Sequence, residues 1–181
     1  TEVVNYNSLT SATAGNFIIA KATPTITVTP GTYTYNGSAQ GPGVAETNTG
    51  GSTSVPTFSY VGTSGTTYGP LTTKPTNAGS YQVTASVITD ANYLAASSSA
   101  TSFTISKKIL TIIAEDKSKL YGAIVPALTY TYSGLVNGDA APSTLPAIIT
   151  TALASSSVDS YPITVSAAAD ANYTINYVPG I

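Results

Sequence analysis

Apolar and polar residues alternate with a period of two along much of the chain. In the stretch "SYQVTASV", Tyr81, Val83, Ala85 and Val87 occupy every second position, and polar residues stand between them. Because successive side chains of a strand point to opposite faces, this pattern predicts a strand with one buried face. The stretches at residues 25–29, 57–60 and 101–106 alternate in the same way. No stretch has the three-and-four spacing of an amphipathic helix.

Turn signals separate these strands at short intervals. Pro-Gly occurs at residues 30–31, and Asn-Gly occurs at residues 36–37 and 137–138. Asn-Gly accepts positive φ at both turn positions and therefore favours tight hairpins. Many short strands in a stretch of about 80 residues are typical of an immunoglobulin-like antiparallel β-sandwich. We therefore predict an all-β chain.

The chain contains an internal repeat. The tetrapeptide "DANY" stands at residues 90–93 and again at residues 170–173, and residues 78–93 match residues 158–173 at eight of sixteen positions. Upstream, "KATPTI" at residues 21–26 resembles "KKILTI" at residues 107–112. Such self-similarity predicts two tandem modules, residues 21–106 and residues 107–181. We name these stretches the first unit and the second unit.

Residues 1–20 resemble the end of the first unit. They are expected to be the last strand of a preceding repeat, so that the chain is a piece of a longer array. A strand without its own sheet exposes unpaired backbone groups, so this segment is also a candidate for strand donation to another chain.

Four tyrosines recur at matching positions of the repeat and are predicted to be structural. In immunoglobulin-like folds, a tyrosine near the start of the penultimate strand bonds back to the backbone and fixes a corner. Tyr81 and Tyr161 occupy that position in the two units. Tyr93 and Tyr173 are expected to open the last strand of each unit and to pack over its core.

The acidic and amide residues of the repeated tetrapeptide have two interpretations. Asp90, Asn92, Asp170 and Asn172 offer oxygen atoms in loops and are therefore weak candidates for calcium ligands. However, the dense ligand spacing of known calcium loops is missing. Asp and Asn also brace turns by bonding to nearby backbone N–H groups, and the sequence favours this second role.

The composition excludes several kinds of chemistry. The chain has no Cys, His, Met or Trp, which rules out cysteine zinc sites, thiol nucleophiles and Ser-His-Asp triads. Glu115 and Asp116 are adjacent and would face opposite ways in a strand, so they predict no acid/base pair. We expect no enzymatic activity, no catalytic residue and no cofactor.

Charge and hydropathy also limit the partners. The net charge is −2 and all basic residues are lysines, a composition that does not favour nucleic acid. No apolar run approaches the roughly 20 residues of a membrane span. If the protein instead binds a glycan or a protein, an exposed aromatic cluster in one unit alone would indicate it, and Tyr68 is the residue to inspect.

Several motifs carry a family resemblance. The stretch at residues 119–181 contains "LYG", "PALTYTY", "SGLVNGD" and "NYTINYVPG", and it resembles the MBG-type repeats of large bacterial surface proteins. The first unit is similar to the immunoglobulin-like repeats found beside them. This resemblance implies stalk or spacer modules of a secreted, adhesin-like protein at the bacterial cell surface, with neighbouring repeats as partners. It implies no catalytic residues.

The joint between the units predicts their arrangement. The stretch "FTISKKILTI" at residues 103–112 contains neither Gly nor Pro. A flexible linker would be longer and rich in Gly and Ser. The sequence therefore predicts a short, stiff connection and an extended, end-to-end arrangement of the two units.

Overall fold

The structure, a computed structural model, describes residues 15, 17–47 and 52–181. This part of the chain is all-β, as the sequence predicts, and contains no helix. Accordingly, no helix in it is long and apolar enough to cross a membrane. The strands of the first unit are β1 (Ile26–Val28), β2 (Thr32–Thr34), β3 (Ala45–Thr47), β4 (Thr57–Thr63), β5 (Gly79–Val87), β6 (Ala96–Ser97) and β7 (Thr101–Ser106). Those of the second unit are β8 (Lys108–Ala114), β9 (Tyr130–Ser133), β10 (Ala147–Thr150), β11 (Ile163–Ser166) and β12 (Tyr173–Val178).

Each unit holds two sheets. In the first unit, the larger sheet has the order β2-β7-β5-β4, with β6 beside β5, and β1 pairs with β3. In the second unit, one sheet has the order β12-β8-β9, and β10 pairs with β11. Every described strand pair lies within one unit, and β7 ends only two residues before β8 begins. The exact unit boundaries remain a sequence-based prediction.

Two of the strand pairs are parallel. β2 runs parallel to β7, and β12 runs parallel to β8. The sheets are therefore mixed, whereas the sequence predicts antiparallel strands. Side chains alternate in the same way along parallel and antiparallel strands, so the residue pattern alone does not distinguish them.

The buried faces of the strands are those that alternate in the sequence. Tyr81, Val83, Ala85 and Val87 of β5 are all buried, which confirms the predicted face. In β8 the buried face consists of Leu110, Ile112 and Ala114. The buried apolar residues of both units form one cluster.

The predicted strand in residues 1–20 falls mostly outside the described residues. Residues 17–20 form no strand, and their side chains are exposed. Whether residues 1–20 pair with another chain therefore stays a prediction.

Candidate functional site

The turn at each "DANY" tetrapeptide, here called the DANY turn, is built around its aspartate. Asp90 Oδ1 accepts hydrogen bonds from the backbone N–H groups of Asn92 and Tyr93 at 2.9 and 2.8 Å. In the second unit, Asp170 Oδ1 accepts from the backbone N–H of Asn172 at 2.7 Å. The aspartate thus closes the turn on itself, the role that the sequence favours for it.

The second carboxylate oxygen of each aspartate holds a distant loop. Asp90 Oδ2 accepts from Ser52 Oγ at 2.6 Å and from the backbone N–H of Thr53 at 2.9 Å. Asp170 Oδ2 accepts from Ser143 Oγ at 2.6 Å and from the Ser143 backbone N–H at 2.9 Å. Sequence reasoning missed both serines because they lie in the middle loops, whose lengths differ between the units.

These hydrogen bonds stabilise the charged form of the aspartates. The Ser52 hydroxyl, followed by the backbone N–H donors, lowers the pKa of Asp90 to about 2. Partial burial acts to raise the pKa of Asp170, but the bonds from Ser143 and the turn backbone outweigh it and leave that pKa lowered. Both carboxylates are therefore anionic at neutral pH.

The DANY turns do not fit a calcium site. Calcium takes six to eight oxygen ligands, but the groups that face Asp90 and Asp170 are N–H and O–H donors. Asn172 uses its side-chain oxygen to accept a backbone hydrogen bond from another residue. Within residues 17–47 and 52–181, no cluster of three or more acidic residues could hold a metal ion.

A lysine ties the start of each unit to its own DANY turn. Lys21 Nζ donates to the Asp90 carbonyl oxygen at 2.5 Å, and Lys107 Nζ donates to the Asp170 carbonyl oxygen at 3.3 Å. The backbone N–H of the next residue, Ala22 or Lys108, then donates to the carbonyl of Asn92 or Asn172, at 3.0 Å in both units. The first residues of each unit are thus hydrogen-bonded to its DANY turn, which leads directly into β12 in the second unit and precedes β6 and β7 in the first.

The two corner tyrosines make the same hydrogen bond. Tyr81 Oη donates to the Asn77 carbonyl at 2.7 Å, and Tyr161 Oη donates to the Ser157 carbonyl at 3.1 Å. Each bond reaches four residues back along the chain. The surroundings differ, because Tyr81 is buried while Tyr161 is only half-buried.

Tyr68 does not form an open aromatic platform. Its ring meets the Tyr81 ring edge-on, with 5.8 Å between the centroids. Its hydroxyl donates to the Thr73 carbonyl at 2.8 Å, and the side chain is half-buried. Tyr68 therefore supports the corner of the first unit.

The tyrosines that end the DANY turns have different degrees of burial. Tyr173 begins β12 and is only 3% exposed, whereas Tyr93 is half-buried and joins Ala22 in an isolated parallel bridge. Tyr173 Oη donates to Asp139 Oδ2 at 2.7 Å and accepts from the Val136 backbone N–H at 3.0 Å. Burial first, and then the hydrogen bond to Asp139, raise the pKa of Tyr173 to about 12.

Tyr173 and Asp139 also contact the first unit. Tyr35 Oη donates to the same oxygen, Asp139 Oδ2, at 3.2 Å. The rings of Tyr35 and Tyr173 meet edge-on with their centroids 5.4 Å apart. One carboxylate thus joins a tyrosine of each unit. Asp139 is the last residue of the motif "SGLVNGD", but the sequence analysis gave it no structural role.

Asn172 makes a second contact between the units. Its Oδ1 accepts from the Ala78 backbone N–H at 2.9 Å, and its Nδ2 donates to Asn77 Oδ1 at 3.3 Å. The DANY turn of the second unit therefore binds the loop that precedes the corner tyrosine of the first unit. We name this set of contacts, with those of Asp139, the junction.

The second unit has an open cleft beside its corner tyrosine. The cleft has a volume of about 320 Å³, and its lining includes Tyr121, Ser157, Val158 and Tyr161. Tyr121 is 71% exposed and Val158 is 93% exposed. Apolar side chains and backbone groups therefore face solvent at this end of the unit.

The adjacent carboxylates Glu115 and Asp116 accept hydrogen bonds from different partners. Glu115 Oε2 accepts from Thr129 Oγ1 at 2.5 Å and from Lys117 Nζ at 3.1 Å. Asp116 Oδ1 accepts from the Ile181 backbone N–H at 2.8 Å. Thr129 first, and then Lys117, lower the pKa of Glu115. The two groups do not form an acid/base pair.

Comparison with known proteins identifies the second unit only. No curated protein and no solved structure matches the chain. Residues 110–181 match the family model of the MBG domain (YGX type), and they include the pair Tyr121-Gly122. This match indicates a repeat module of a surface or secreted protein. The predicted resemblance is thereby confirmed for residues 110–181, which match the MBG-domain family.

Proposed function

We propose that the two units are structural spacer modules of a bacterial cell-surface, adhesin-like or extracellular filament protein. They extend a binding region that lies elsewhere in the polypeptide, and they carry out no catalysis. This proposal rests on one observation: the same set of hydrogen bonds recurs at corresponding positions of both units. The joint lysine, the DANY aspartate and the corner tyrosine make corresponding hydrogen bonds in each.

Strand order supports a load-bearing role. β8, the first strand of the second unit, lies parallel to β12, its last strand, and the pairs run from Lys108–Tyr173 to Ile113–Val178. A pull on the two ends of the unit in opposite directions would shear this ladder. All of its hydrogen bonds would then be loaded together rather than one at a time, which is the more resistant geometry.

The joint supports a fixed spacing between the units. Only Lys107 separates β7 from β8, and its ammonium group is held by the Asp170 carbonyl. The contacts of Asn172 and Asp139 across the junction further restrict rotation about this joint. Further units joined in the same way would lengthen the protein without requiring any other kind of contact.

Small-angle X-ray scattering of the chain in dilute solution tests the proposal. Each unit should add about 25–35 Å of length, because its longest strand, β5 with nine residues or β8 with seven, rises about 3.3 Å per residue and loops extend beyond it. We expect a radius of gyration well above the roughly 16 Å of a compact domain of this length. A radius near 16 Å would overturn the spacer function. As a control, insertion of a Gly-Ser segment after Ser106 should broaden the distribution of interatomic distances.

A further inference from the structure

The two Asn-Gly dipeptides of the chain meet at the junction. Asn36-Gly37 belongs to the first unit, and Asn137-Gly138 belongs to the second. A β-carbon added to Gly37, whose φ is 75°, would overlap the side chain of Asn137. The Asn137 side chain therefore lies directly against the Gly37 backbone, although the two residues belong to different units.

The turn that contains Asn137 holds the hydroxyl of Tyr173 from both of its ends. We name residues 136–139 the Asn137 turn. The Asp139 backbone N–H closes it by donating to the Val136 carbonyl at 3.0 Å, and both central residues, Asn137 and Gly138, have positive φ. The Val136 N–H donates to Tyr173 Oη at 3.0 Å, and Tyr173 Oη donates to Asp139 Oδ2 at 2.7 Å. The geometry of this turn thus fixes the position of a junction tyrosine.

The centre of the Asn137 turn has the chemistry of a self-modifying site. An asparagine followed by glycine is prone to deamidation, because glycine has no β-carbon to hinder its backbone nitrogen. The Gly138 nitrogen attacks Asn137 Cγ and forms an N–Cγ bond; the Cγ–Nδ2 bond breaks, and ammonia leaves with the proton of the Gly138 N–H. Water then opens the cyclic imide to aspartate or isoaspartate. The conversion consumes water, releases ammonia and needs no oxidant.

The groups that react at this dipeptide are not held by other hydrogen bonds. Within the described part of the chain, neither the Gly138 N–H nor the Asn137 side chain has a hydrogen-bond partner. Both residues are exposed, and a β-carbon at Gly138 would have no heavy atom within 4 Å. At Asn36, in contrast, the side-chain oxygen accepts a hydrogen bond from the Ser38 N–H at 2.9 Å. Water and the attacking nitrogen can therefore both reach the Asn137 amide.

Conversion of Asn137 would disturb the junction in two ways. Isoaspartate routes the main chain through its own β-carbon, which lengthens the turn between Val136 and Asp139. Their groups would then no longer meet at the hydroxyl of Tyr173. Either product also adds a negative charge against Gly37 and two positions before Asp139, in place of an uncharged amide, and like charges repel.

We propose that Asn137 is a site of spontaneous deamidation and that its conversion loosens the junction between the units. The change is irreversible, because the released ammonia is lost. Contact between the units therefore weakens with the age of the protein. This inference goes beyond the spacer function, since the site and its effect on the junction would be the same whatever the units do.

Peptide mapping by mass spectrometry tests the modification. The parent chain is incubated at mildly alkaline pH and physiological temperature, and residue 137 is analysed for aspartate and isoaspartate over time. We expect both products to accumulate at Asn137, but not at Asn77 or Asn172, whose following residues carry side chains. Gly138→Ala should keep the Asn137 amide under conditions that convert the parent, because its β-carbon hinders the attacking nitrogen.

The ¹⁵N relaxation of the same samples tests the effect on the junction. Fresh parent protein should show one rotational correlation time for both units, and converted protein should show two shorter times. Asn137→Asp introduces the charge alone and should loosen the junction before any incubation. Asn137→Gly is the matched control, because glycine suits the φ of 57° and carries no amide. Its incubated and fresh samples should behave alike.

Two results would overturn the inference. One is an Asn137 amide that stays intact throughout the incubation, including the case in which only Asn36 is converted. The other is converted protein whose units still share the single correlation time of the fresh parent. Neither result bears on the spacer function, which the scattering experiment tests on fresh protein.

Discussion

At the scale of single residues, one carboxylate performs several structural tasks. Asp90 accepts two hydrogen bonds within its own turn and two from the loop that contains Ser52. The hydroxyl and N–H donors stabilise the charged form of the Asp90 side chain, and this stabilisation lowers its pKa. The Asp90 carboxylate thus connects the DANY turn to the loop that contains Ser52 through charge-assisted hydrogen bonds.

Replacement of Asp90 should alter the acid stability of the protein. The folded-state pKa of about 2 lies below the ordinary value of 3.8, so the stabilisation is complete above pH 3.8 and is lost as the pH falls towards 2. Asp90→Asn should lower the melting temperature at neutral pH, because its amide would face the Ser52 and Thr53 donors. It should also weaken the dependence of melting temperature on pH in that range.

Thermal melts between pH 2 and pH 7 would measure both effects of the Asp90 substitution. Glu46→Gln is the control, since Glu46 is an exposed acidic residue of β3. An unchanged acid profile for Asp90→Asn would show that its carboxylate does not stabilise the folded state.

At the scale of the element, adjacent residues of β8 differ in burial, and we expect their substitution to affect stability differently. Leu110 is fully buried, whereas its neighbour Ile109 is 59% exposed. Both have similar size and hydrophobicity, so only the face of the strand distinguishes them. β8 also lies between β12 and β9 and is therefore the central strand of its sheet.

Alanine substitutions at these neighbouring positions should have unequal effects. Leu110→Ala should reduce the free energy of unfolding by about 2–5 kcal/mol, because it removes buried methyl groups and leaves a cavity. Ile109→Ala should cost less than about 1 kcal/mol, the span of strand propensity. Urea denaturation of both variants would measure the difference. Equal losses would contradict the observed orientation of β8.

At the scale of the whole molecule, the polar groups of the junction add to the apolar cluster that the two units share. Asp139 accepts hydrogen bonds from Tyr35 of the first unit and from Tyr173 of the second. Asn172 adds two more hydrogen bonds across the junction. In the proposed spacer, the relative orientation of the units would therefore depend on these polar contacts together with the shared apolar cluster and the short joint.

Removal of Asp139 should loosen the junction without unfolding either unit. In Asp139→Ala the hydroxyls of Tyr35 and Tyr173 lose their shared acceptor, so the units should reorient more freely. ¹⁵N relaxation should give one rotational correlation time for both units of the parent and two shorter times for the variant. Asp159→Ala, at the cleft end of the second unit, should leave the parent behaviour intact.

The sequence alone determined the strands, the repeat and the role of its turn residues. The buried face of β5 and the aspartate that closes each DANY turn depend on local geometry, namely the period of a strand and the reach of a short side chain. The motifs of the second unit also resembled the MBG domain, whose family model residues 110–181 match.

Only the tertiary structure decided which distant groups meet. Asn172 and Ala78 are 94 positions apart, and Tyr35 and Asp139 are 104 positions apart. No local pattern encodes such pairs, because they depend on how the sheets pack and on the direction in which β2 and β12 lie beside β7 and β8. The same packing covers Tyr35 with the ring of Tyr173, a residue of the other unit.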